Sequence, residues 1–257
     1  MTLLTKARND FQLHQADRNL KATLQGLDVK AEIVGMNSRG WIQISIIGQD
    51  EQVALKYLRD KIGFCPVELE KVTVFSTFEG FIRDSDQDKN ELVVDLGVSS
   101  PKYVDAVVPL NRLQAQIGDG RKMALSKLAE LFGLRENVPL NIRVTQADLQ
   151  QQHVEAELSD EQQKRFLDWT RSMLDRLLIV GASFSEVRST IRRSNIIRDV
   201  IRIEPLGMFE HAIVCKLGTD AAGLIPKIGK SLQKAVFTVY NPRNIVKLLG
   251  LDTTATS

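Results

Sequence analysis

The chain has 257 residues, of which 43% are hydrophobic and 26% charged, a composition typical of a soluble globular protein. The length suits two or three small domains better than one, and no apolar run reaches the roughly 18 residues that a membrane span needs. The sequence therefore predicts no membrane-spanning helix. Two widely separated cysteines and an N-terminus without the apolar core of a secretory signal predict a cytoplasmic location.

Charge is distributed unevenly along the chain. From Arg176 to the end, 12 Lys and Arg stand against 6 Asp and Glu, a formal charge of +6, while the remainder has 22 against 26, a charge of −4. A basic C-terminal third indicates an anionic partner at one end, although an ordinary solvated surface has the same composition.

Residues 1–66 predict a first small α/β domain. Two amphipathic helices, from Phe11 to Leu24 and from Gln49 to Ile62, accompany the strand-like segments VKAEIVGM and WIQISIIG, which the turn NSRG joins. The segments TLLTKA and PVELEKV add a strand at each end. The resulting order, βαββαβ, predicts a ferredoxin-like sandwich.

Residues 67–160 predict a β-barrel. Five short segments have the composition of strands: KVTVFSTFEGFI, ELVVDLGV, VDAVVPL, VPLNIRVTQAD and HVEAELS. A helical segment from Lys122 to Phe132, which Gly133 would end, lies between the third and fourth. Five strands with a helical insertion before the fourth is the order of an OB-type barrel.

Residues 161–176 predict a helix that connects the barrel to the last domain. Ser159 and Gln162 have the spacing of a capping box, and Phe166 and Trp169 begin an apolar stripe at helical spacing. Because such a stripe normally packs against a core, we interpret Trp169 as a core residue rather than a base-stacking one.

Residues 177–257 predict a second, basic βαββαβ domain. A strand, RLLIVGA, precedes a helix capped by Ser183 and Glu186; a hairpin, a helix over TDAAGLIPKIGKSL and the strand AVFTVY follow, and Asn241-Pro242 starts a final helix. The predicted fold class is therefore α+β and multidomain, with an OB-type β-barrel flanked by two small ferredoxin-like α/β domains.

The stretch EGFIRDSDQDKNELVVDLGVSSPKYVDAVVPLNRL, with VPLNIRVTQAD and VEAELS after it, resembles the RNA-binding barrel repeat named for the largest bacterial small-subunit ribosomal protein. The matching positions are Gly80 in the first strand, Val94–Gly97 for the VDLG motif, Asp105–Leu113 for the third strand and Leu158–Ser159 for the end of the last. This resemblance implies a barrel whose outer wall binds RNA.

Aromatic side chains carry base stacking in that family, where members that bind RNA tightly place them on strands two and three. Val93 and Pro109 stand at the matching positions here, so the stacking platform is reduced. Each stacked base contributes about 1–3 kcal/mol, and Phe78, Phe81 and Tyr103 are the aromatic side chains that would replace the missing ones. For at least one of the two phenylalanines, however, a buried position is the expected one.

Basic residues of the barrel segment would contact phosphates, or are ordinary surface charges. These candidates are Arg112, Arg121, Lys122 and Arg143.

The whole chain resembles a family of conserved archaeal proteins of unknown function, on the segments IEPLGMFEHAIVCKLGTDAAGLIPKIG and DEQVALKYLRDKIG. That resemblance implies an archaeal source and no established activity. The succession of barrel, helix and C-terminal ferredoxin-like domain is also similar to that of the alpha subunit of archaeal and eukaryotic initiation factor two, a likeness of architecture only.

The densest basic cluster lies in the C-terminal third. It comprises Arg188, Arg192, Arg193, Arg198 and Arg202. Arg188 and Arg192 lie one helical turn apart, and guanidinium groups bind phosphate through two hydrogen bonds. The cluster predicts contact with RNA or the ribosome, unless the neighbouring acidic residues neutralise it in a salt-bridged surface.

The segment LGTDAAGLIPKIGKSL offers a second basic site. Its helix would start at Thr219 or Asp220, where the first N–H groups are free. These groups would bind a phosphate together with Lys227, Lys230 and Lys234. The glycine spacing matches no phosphate-binding loop, and the Asp220 carboxylate repels anions, so structural capping is the competing interpretation.

Three further patterns do not predict a site. DSDQDKNELVVD is spaced somewhat like a calcium loop but lacks the required Gly and the terminal Glu. His211 and Cys215 share a face of a predicted strand, but two residues do not complete a zinc site. No nucleophile signature is present, so we predict no metal, no cofactor and no enzymatic activity.

The leading functional hypothesis is a non-enzymatic RNA-binding protein of translation or RNA processing, with RNA or a ribonucleoprotein as its partner. The alternative is a protein-interaction module on the ribosome or RNA polymerase, which the missing barrel aromatics favour. An enzyme acting on a nucleotide or nucleic acid is the third hypothesis, and a deep pocket with convergent charged groups would support it.

Overall fold

Three β-sheets organise the computed structural model, which describes residues 1–83 and 90–250. Five strands form a closed barrel, and two open sheets of three and four strands accompany it. The mixed α/β class and the five-stranded barrel that the sequence predicts are thereby confirmed.

The N-terminal sheet contains β1 (Thr2–Lys6), β2 (Val29–Met36) and β3 (Trp41–Gly48) in the antiparallel order β1-β3-β2. Helices α1 (Asp10–Thr23) and α2 (Glu51–Lys61) supply apolar side chains to its core, among them Leu20 from α1 and Leu58 from α2.

The predicted strand PVELEKV is not formed, and the N-terminal sheet has no fourth strand among the described residues. A single β-bridge joins Phe64 to Leu3, and a 3-10 helix follows at Leu69–Lys71. Val67 has a φ of 58°, which a β-branched residue rarely adopts and which interrupts an extended segment. Leu69 is buried in the barrel cluster, so the segment packs on the barrel instead of completing the sheet.

The barrel strands are β4 (Thr77–Ile82), β5 (Glu91–Val98), β6 (Val104–Pro109), β7 (Pro139–Asp148) and β8 (His153–Leu158). Their order is β4-β5-β6-β8-β7, with β6 parallel to β8, and pairing of β7 with β4 closes the cylinder. Alternate apolar side chains of every strand fill its interior.

The sequence predicted two features of the barrel segment incorrectly. The first strand begins at Thr77 rather than near Lys71, because a tight turn with Phe75 at a φ of 69° precedes it. The insertion contains two helices, α3 (Leu110–Ile117) and α4 (Leu125–Phe132), where one was predicted. Gly133, at a φ of 67°, ends α4 as expected.

The C-terminal sheet contains β9 (Arg176–Val180), β10 (Val200–Pro205), β11 (Glu210–Cys215) and β12 (Val236–Tyr240). All neighbours are antiparallel in the order β10-β11-β9-β12.

Four helices accompany this sheet: α5 (Asp160–Arg171), α6 (Phe184–Arg193), α7 (Ile225–Ile228) and α8 (Pro242–Leu249). One face of the sheet packs against α6 and α7, and the other packs against α4, α5 and α8. Through the second face, the C-terminal sheet and the barrel share one apolar cluster. Trp169 is buried in that cluster, which confirms its interpretation as a core residue.

The helix predicted over TDAAGLIPKIGKSL is much shorter than expected. A 3-10 helix at Ala222–Leu224 leads into α7, which has four residues. Pro226 has no N–H to donate and therefore permits a helix only to begin there. None of the helices within the two described ranges combines the length and the apolar run needed to cross a bilayer.

Candidate nucleic-acid interface

The outer wall of the barrel is covered by the N-terminal domain at β5. Asp95 is 1% exposed, and its carboxylate accepts hydrogen bonds from Lys6 Nζ at 2.8 Å and from the indole N–H of Trp41 at 3.0 Å. The Gly97 N–H donates to the other carboxylate oxygen at 2.9 Å. A protein contact therefore occupies the wall where the resemblance implies RNA.

The same contact extends to β6. Arg39 and Arg83 both form ion pairs with Asp105, and the Arg39 guanidinium carbon lies 4.3 Å from the centre of the Tyr103 ring. Ser38 Oγ donates a hydrogen bond to the Tyr103 hydroxyl at 2.8 Å. The Arg39 guanidinium group thus occupies one face of the Tyr103 ring, which the sequence predicted to stack on a base.

Phe81 is fully buried, which is the position expected for at least one of the two phenylalanines. Its ring packs edge-on against Trp41, with 5.4 Å between centroids. Phe78 points to the other side of β4 and packs, partly buried, against the barrel core. The Phe81 side chain lies on the outer side of β4, where Trp41 and Cys65 of the N-terminal domain cover it. The expected stacking surface is therefore not formed.

Arg112 and Arg143 both lie beside the largely buried Glu157 of β8. Arg143 Nε donates to Glu157 at 3.0 Å, and Arg112 Nη1 lies 3.6 Å from the other carboxylate oxygen. One carboxylate partly neutralises the two guanidinium groups. The barrel candidates are therefore largely engaged in contacts within the chain.

Helix α6 presents a basic face in the C-terminal domain. Ser183 and Glu186 form the predicted capping box, in which the Ser183 N–H donates to the Glu186 carboxylate at 2.8 Å. Val187 and Ile191 are buried against the sheet. Their burial fixes the rotation of the helix and leaves its arginines exposed: Arg188, Arg192 and Arg193.

The neighbouring carboxylates are engaged elsewhere. Glu186 accepts from Ser183, Asp199 lies 3.6 Å from Lys227, and Glu204 pairs with Arg202. Among the described residues, no carboxylate lies within ion-pair distance of the exposed arginines: Arg188, Arg192, Arg193 and Arg198. Of the two sequence interpretations, the salt-bridged surface is therefore not supported for these four.

Three exposed lysines follow on the segment that contains α7. Lys227 lies 3.6 Å from Asp199, which follows the end of α6. Lys230 and Lys234 line a groove together with Glu186, which lies in the first turn of α6. We call this set the C-terminal basic surface: Arg188, Arg192, Arg193, Arg198, Lys227, Lys230 and Lys234.

Asp220 occupies the backbone groups that the phosphate interpretation would have left free. Its carboxylate accepts the N–H of Ala222 at 3.0 Å and of Gly223 at 3.2 Å. Since the helix behind it is a single turn, capping accounts for this segment, and Lys227 and Lys230 belong to the basic surface instead.

His211 and Cys215 lie buried on the same side of β11. Burial lowers the pKa of His211 to about 4 and raises that of the Cys215 thiol. The described part of the chain holds no group of three or more metal-ligating side chains. Half of the calcium-like pattern, residues 84–89, lies outside the described residues.

A cavity of about 810 Å³ lies where the N-terminal domain, β4 and the β10–β11 turn meet. Its ionisable lining residues include Arg59, Asp60, Lys61 and Glu79, and burial raises the pKa of Glu79. In the described structure these four groups make no hydrogen bond to one another.

Sequence reasoning missed two exposed aromatic residues near the basic surface. Phe184 is 43% exposed and precedes Arg188 by four residues, a helical spacing that could have indicated it. Phe11, which helical spacing places on the apolar face of the first helix with Leu20, is instead 53% exposed and lines a groove of the C-terminal domain. The sequence contains no local signal for that contact.

The fold and this surface define a class of multidomain barrel protein with a basic helical face. Within that class, the chain belongs to the DUF2110 family: its residues 3–66 match the DUF2110 N-terminal domain, 72–170 the central domain and 174–240 the C-terminal domain. The predicted membership of a family of unknown function is thereby confirmed. No curated protein matches the chain.

Proposed function

We propose that this chain is a non-enzymatic, cytoplasmic RNA-binding protein of translation or RNA processing that contacts the phosphate backbone through the C-terminal basic surface. The observation that carries the proposal is the set of four exposed arginines around α6, whose nearby carboxylates are engaged with other groups. Unpaired guanidinium groups lose no existing ion pair when they bind phosphate, and each can make two hydrogen bonds to it.

The strand orders support a finer fold assignment within this proposal. The barrel order with a parallel β6–β8 pair is that expected of an OB-type barrel, and the antiparallel order β10-β11-β9-β12 is that expected of a ferredoxin-like sheet. The N-terminal sheet would be a shortened ferredoxin-like sheet, with the Phe64 bridge in place of its last strand. In this assignment the barrel is a scaffold, and the C-terminal domain contacts RNA.

The first test removes charge from the basic surface by the triple substitution Arg192→Ala, Arg193→Ala and Arg198→Ala. We expect weaker RNA binding and a shallower dependence on salt, by about 0.7 in the logarithmic slope for each lost contact to single-stranded RNA. Titration of full-length protein with labelled RNA at several salt concentrations measures both quantities.

A matched control removes three exposed arginines elsewhere, by Arg18→Ala, Arg135→Ala and Arg171→Ala. The control changes net charge equally but leaves the basic surface intact, so it should retain the wild-type salt slope. Equal loss in both triple variants, or wild-type binding no tighter than micromolar with a flat salt response, would contradict the proposal.

A protein-interaction module is the second candidate, and one observation favours it. The open face of the N-terminal sheet exposes apolar side chains, with Val34 and Ile47 each 69% exposed. Val34 lies on β2, an edge strand that is able to pair with another chain. Affinity purification with and without nuclease separates the two functions, because protein contacts with the ribosome or RNA polymerase survive the digestion of RNA.

A further inference from the structure

A groove of about 480 Å³ lies at one end of the C-terminal basic surface, where α1 meets the C-terminal domain. Phe11 forms one wall, and residues 230–235 with Gly181 and Ala182 form the other. Its volume is within the range of sites that hold small organic groups. The groove therefore combines an aromatic ring from one domain with two lysines, Lys230 and Lys234, from another.

Two buried glutamines fix the separation of the walls. The Gln12 side chain donates to the Gly181 carbonyl at 2.9 Å, and that of Gln15 donates to the Glu186 carboxylate at 3.2 Å. Both glutamines belong to α1: Gln12 directly follows Phe11, and Gln15 lies one turn further along the helix. The Phe11 ring is thus held at a set distance from the start of α6.

The charge in the groove favours an anion. Burial alone would raise the pKa of Glu186, but hydrogen bonds from Ser183 and Gln15 lower it below its ordinary value, so this carboxylate stays ionised and is used within the chain. Lys230 and Lys234 are exposed and, among described residues, form no ion pair. Arg8 adds a guanidinium close to Gly181.

We propose that this groove binds one nucleotide of a single-stranded RNA, with the base stacked on Phe11 and the adjoining phosphate held by Lys230 and Lys234. The inference rests on the proposed RNA-binding function and adds that the substrate is single-stranded. A base inside a duplex is already stacked on both faces and is not available to a lone phenylalanine, whereas an unpaired base is.

The test compares full-length Phe11→Ala with wild type on a short unstructured RNA and on a duplex of the same sequence. Since one stacked base contributes about 1–3 kcal/mol, we expect Phe11→Ala to bind the single strand roughly 5- to 150-fold more weakly. Its affinity for the duplex should be unchanged. Phe11→Trp, which keeps a stacking surface, should restore binding of the single strand.

Phe75 provides the matched control because it is 80% exposed and lies before β4, away from the groove lining. Phe75→Ala should bind both RNAs like wild type. If Phe11→Ala, like Phe75→Ala, binds the single strand as tightly as wild type does, the groove assignment is overturned while RNA binding stands. If wild type binds neither RNA, the proposed function itself is overturned.

Lysine substitutions test the phosphate contact separately. Lys230→Gln with Lys234→Gln should reduce the salt dependence of single-strand binding, whereas Phe11→Ala should leave the salt dependence unchanged. An unchanged salt slope in the lysine double variant would remove the lysines from the site.

Discussion

Glu210 is a carboxyl group buried where the three sheets meet. It is 3% exposed on β11, and its carboxylate accepts the Phe209 N–H at 3.2 Å. Burial is the main reason that its pKa is raised to about 8; Glu79 raises it further, while the Phe209 N–H, Arg8 and Lys6 lower it. The sequence places this residue at the start of an apolar strand but contains nothing to show that a second domain covers it.

The raised pKa makes the stability of the protein depend on pH. The folded state binds the proton more tightly than the unfolded chain, whose Glu titrates near 4.5. The stabilising contribution is therefore fully present below about 4.5 and is lost as pH rises through about 8.

We expect Glu210→Gln, which mimics the protonated acid, to unfold like wild type at acidic pH and to be more stable by a few kcal/mol above the folded-state pKa, since each pKa unit corresponds to about 1.36 kcal/mol. Urea unfolding at several pH values measures the difference. Glu130→Gln, on an exposed carboxylate, should follow the wild-type pH profile. A Glu210→Gln profile parallel to that of wild type would show that the buried group does not titrate in this range.

At the level of single elements, the sequence predicted the capping residues of α5, α6 and α8, because a cap depends on neighbours a few residues away. Ser183 with Glu186 and Asn241 with Asn244 form the hydrogen bonds that their spacing indicates. Ser159 accepts the Gln162 N–H, but the Gln162 side chain accepts instead from Asn141 on β7. The second half of that capping box is thus lost to a tertiary contact that local spacing does not show.

The capping box also stabilises the start of α6, the helix that carries the basic face. Ser183→Ala removes the acceptor for the Glu186 N–H, and we expect a loss of about 0.5–2 kcal/mol in the free energy of unfolding. Ser189→Ala, on an exposed turn of the same helix, is the control and should change stability little. Chemical denaturation of both variants decides the matter; equal stabilities would mean that the cap contributes nothing.

For the whole molecule, the sequence predicted a five-stranded barrel but not what covers it. The contacts that close the barrel wall join residues far apart in the chain: Lys6 and Asp95 are separated by 89 positions, and Trp41 and Asp95 by 54. No periodicity or local motif relates such residues. For the same reason the sequence listed Phe81 as a candidate for base stacking, although its ring packs against Trp41 of the N-terminal domain.

Asp95 holds the N-terminal domain on the barrel, and Asp95→Asn tests that contact. The substitution leaves the nearly buried Lys6 ammonium without its counter-charge, so we expect a loss of roughly 3–5 kcal/mol in the free energy of unfolding. Adding Lys6→Met should recover part of the loss by removing the uncompensated charge. As a control, Glu32→Gln disrupts the exposed Lys30–Glu32 pair and should leave the free energy of unfolding unchanged. An equally unchanged free energy for Asp95→Asn would rule out the proposed role of Asp95.

The aromatic cluster between the barrel and the last sheet bears on how the chain acquires its structure during synthesis. Tyr240 inserts among Phe132, Phe166 and Trp169, and its hydroxyl donates to the Phe166 carbonyl at 2.8 Å. Synthesis runs from the N-terminus, so the three earlier rings emerge from the ribosome long before Tyr240 does. Until then the nascent chain exposes an unfilled apolar surface, and chaperones would find their binding site there.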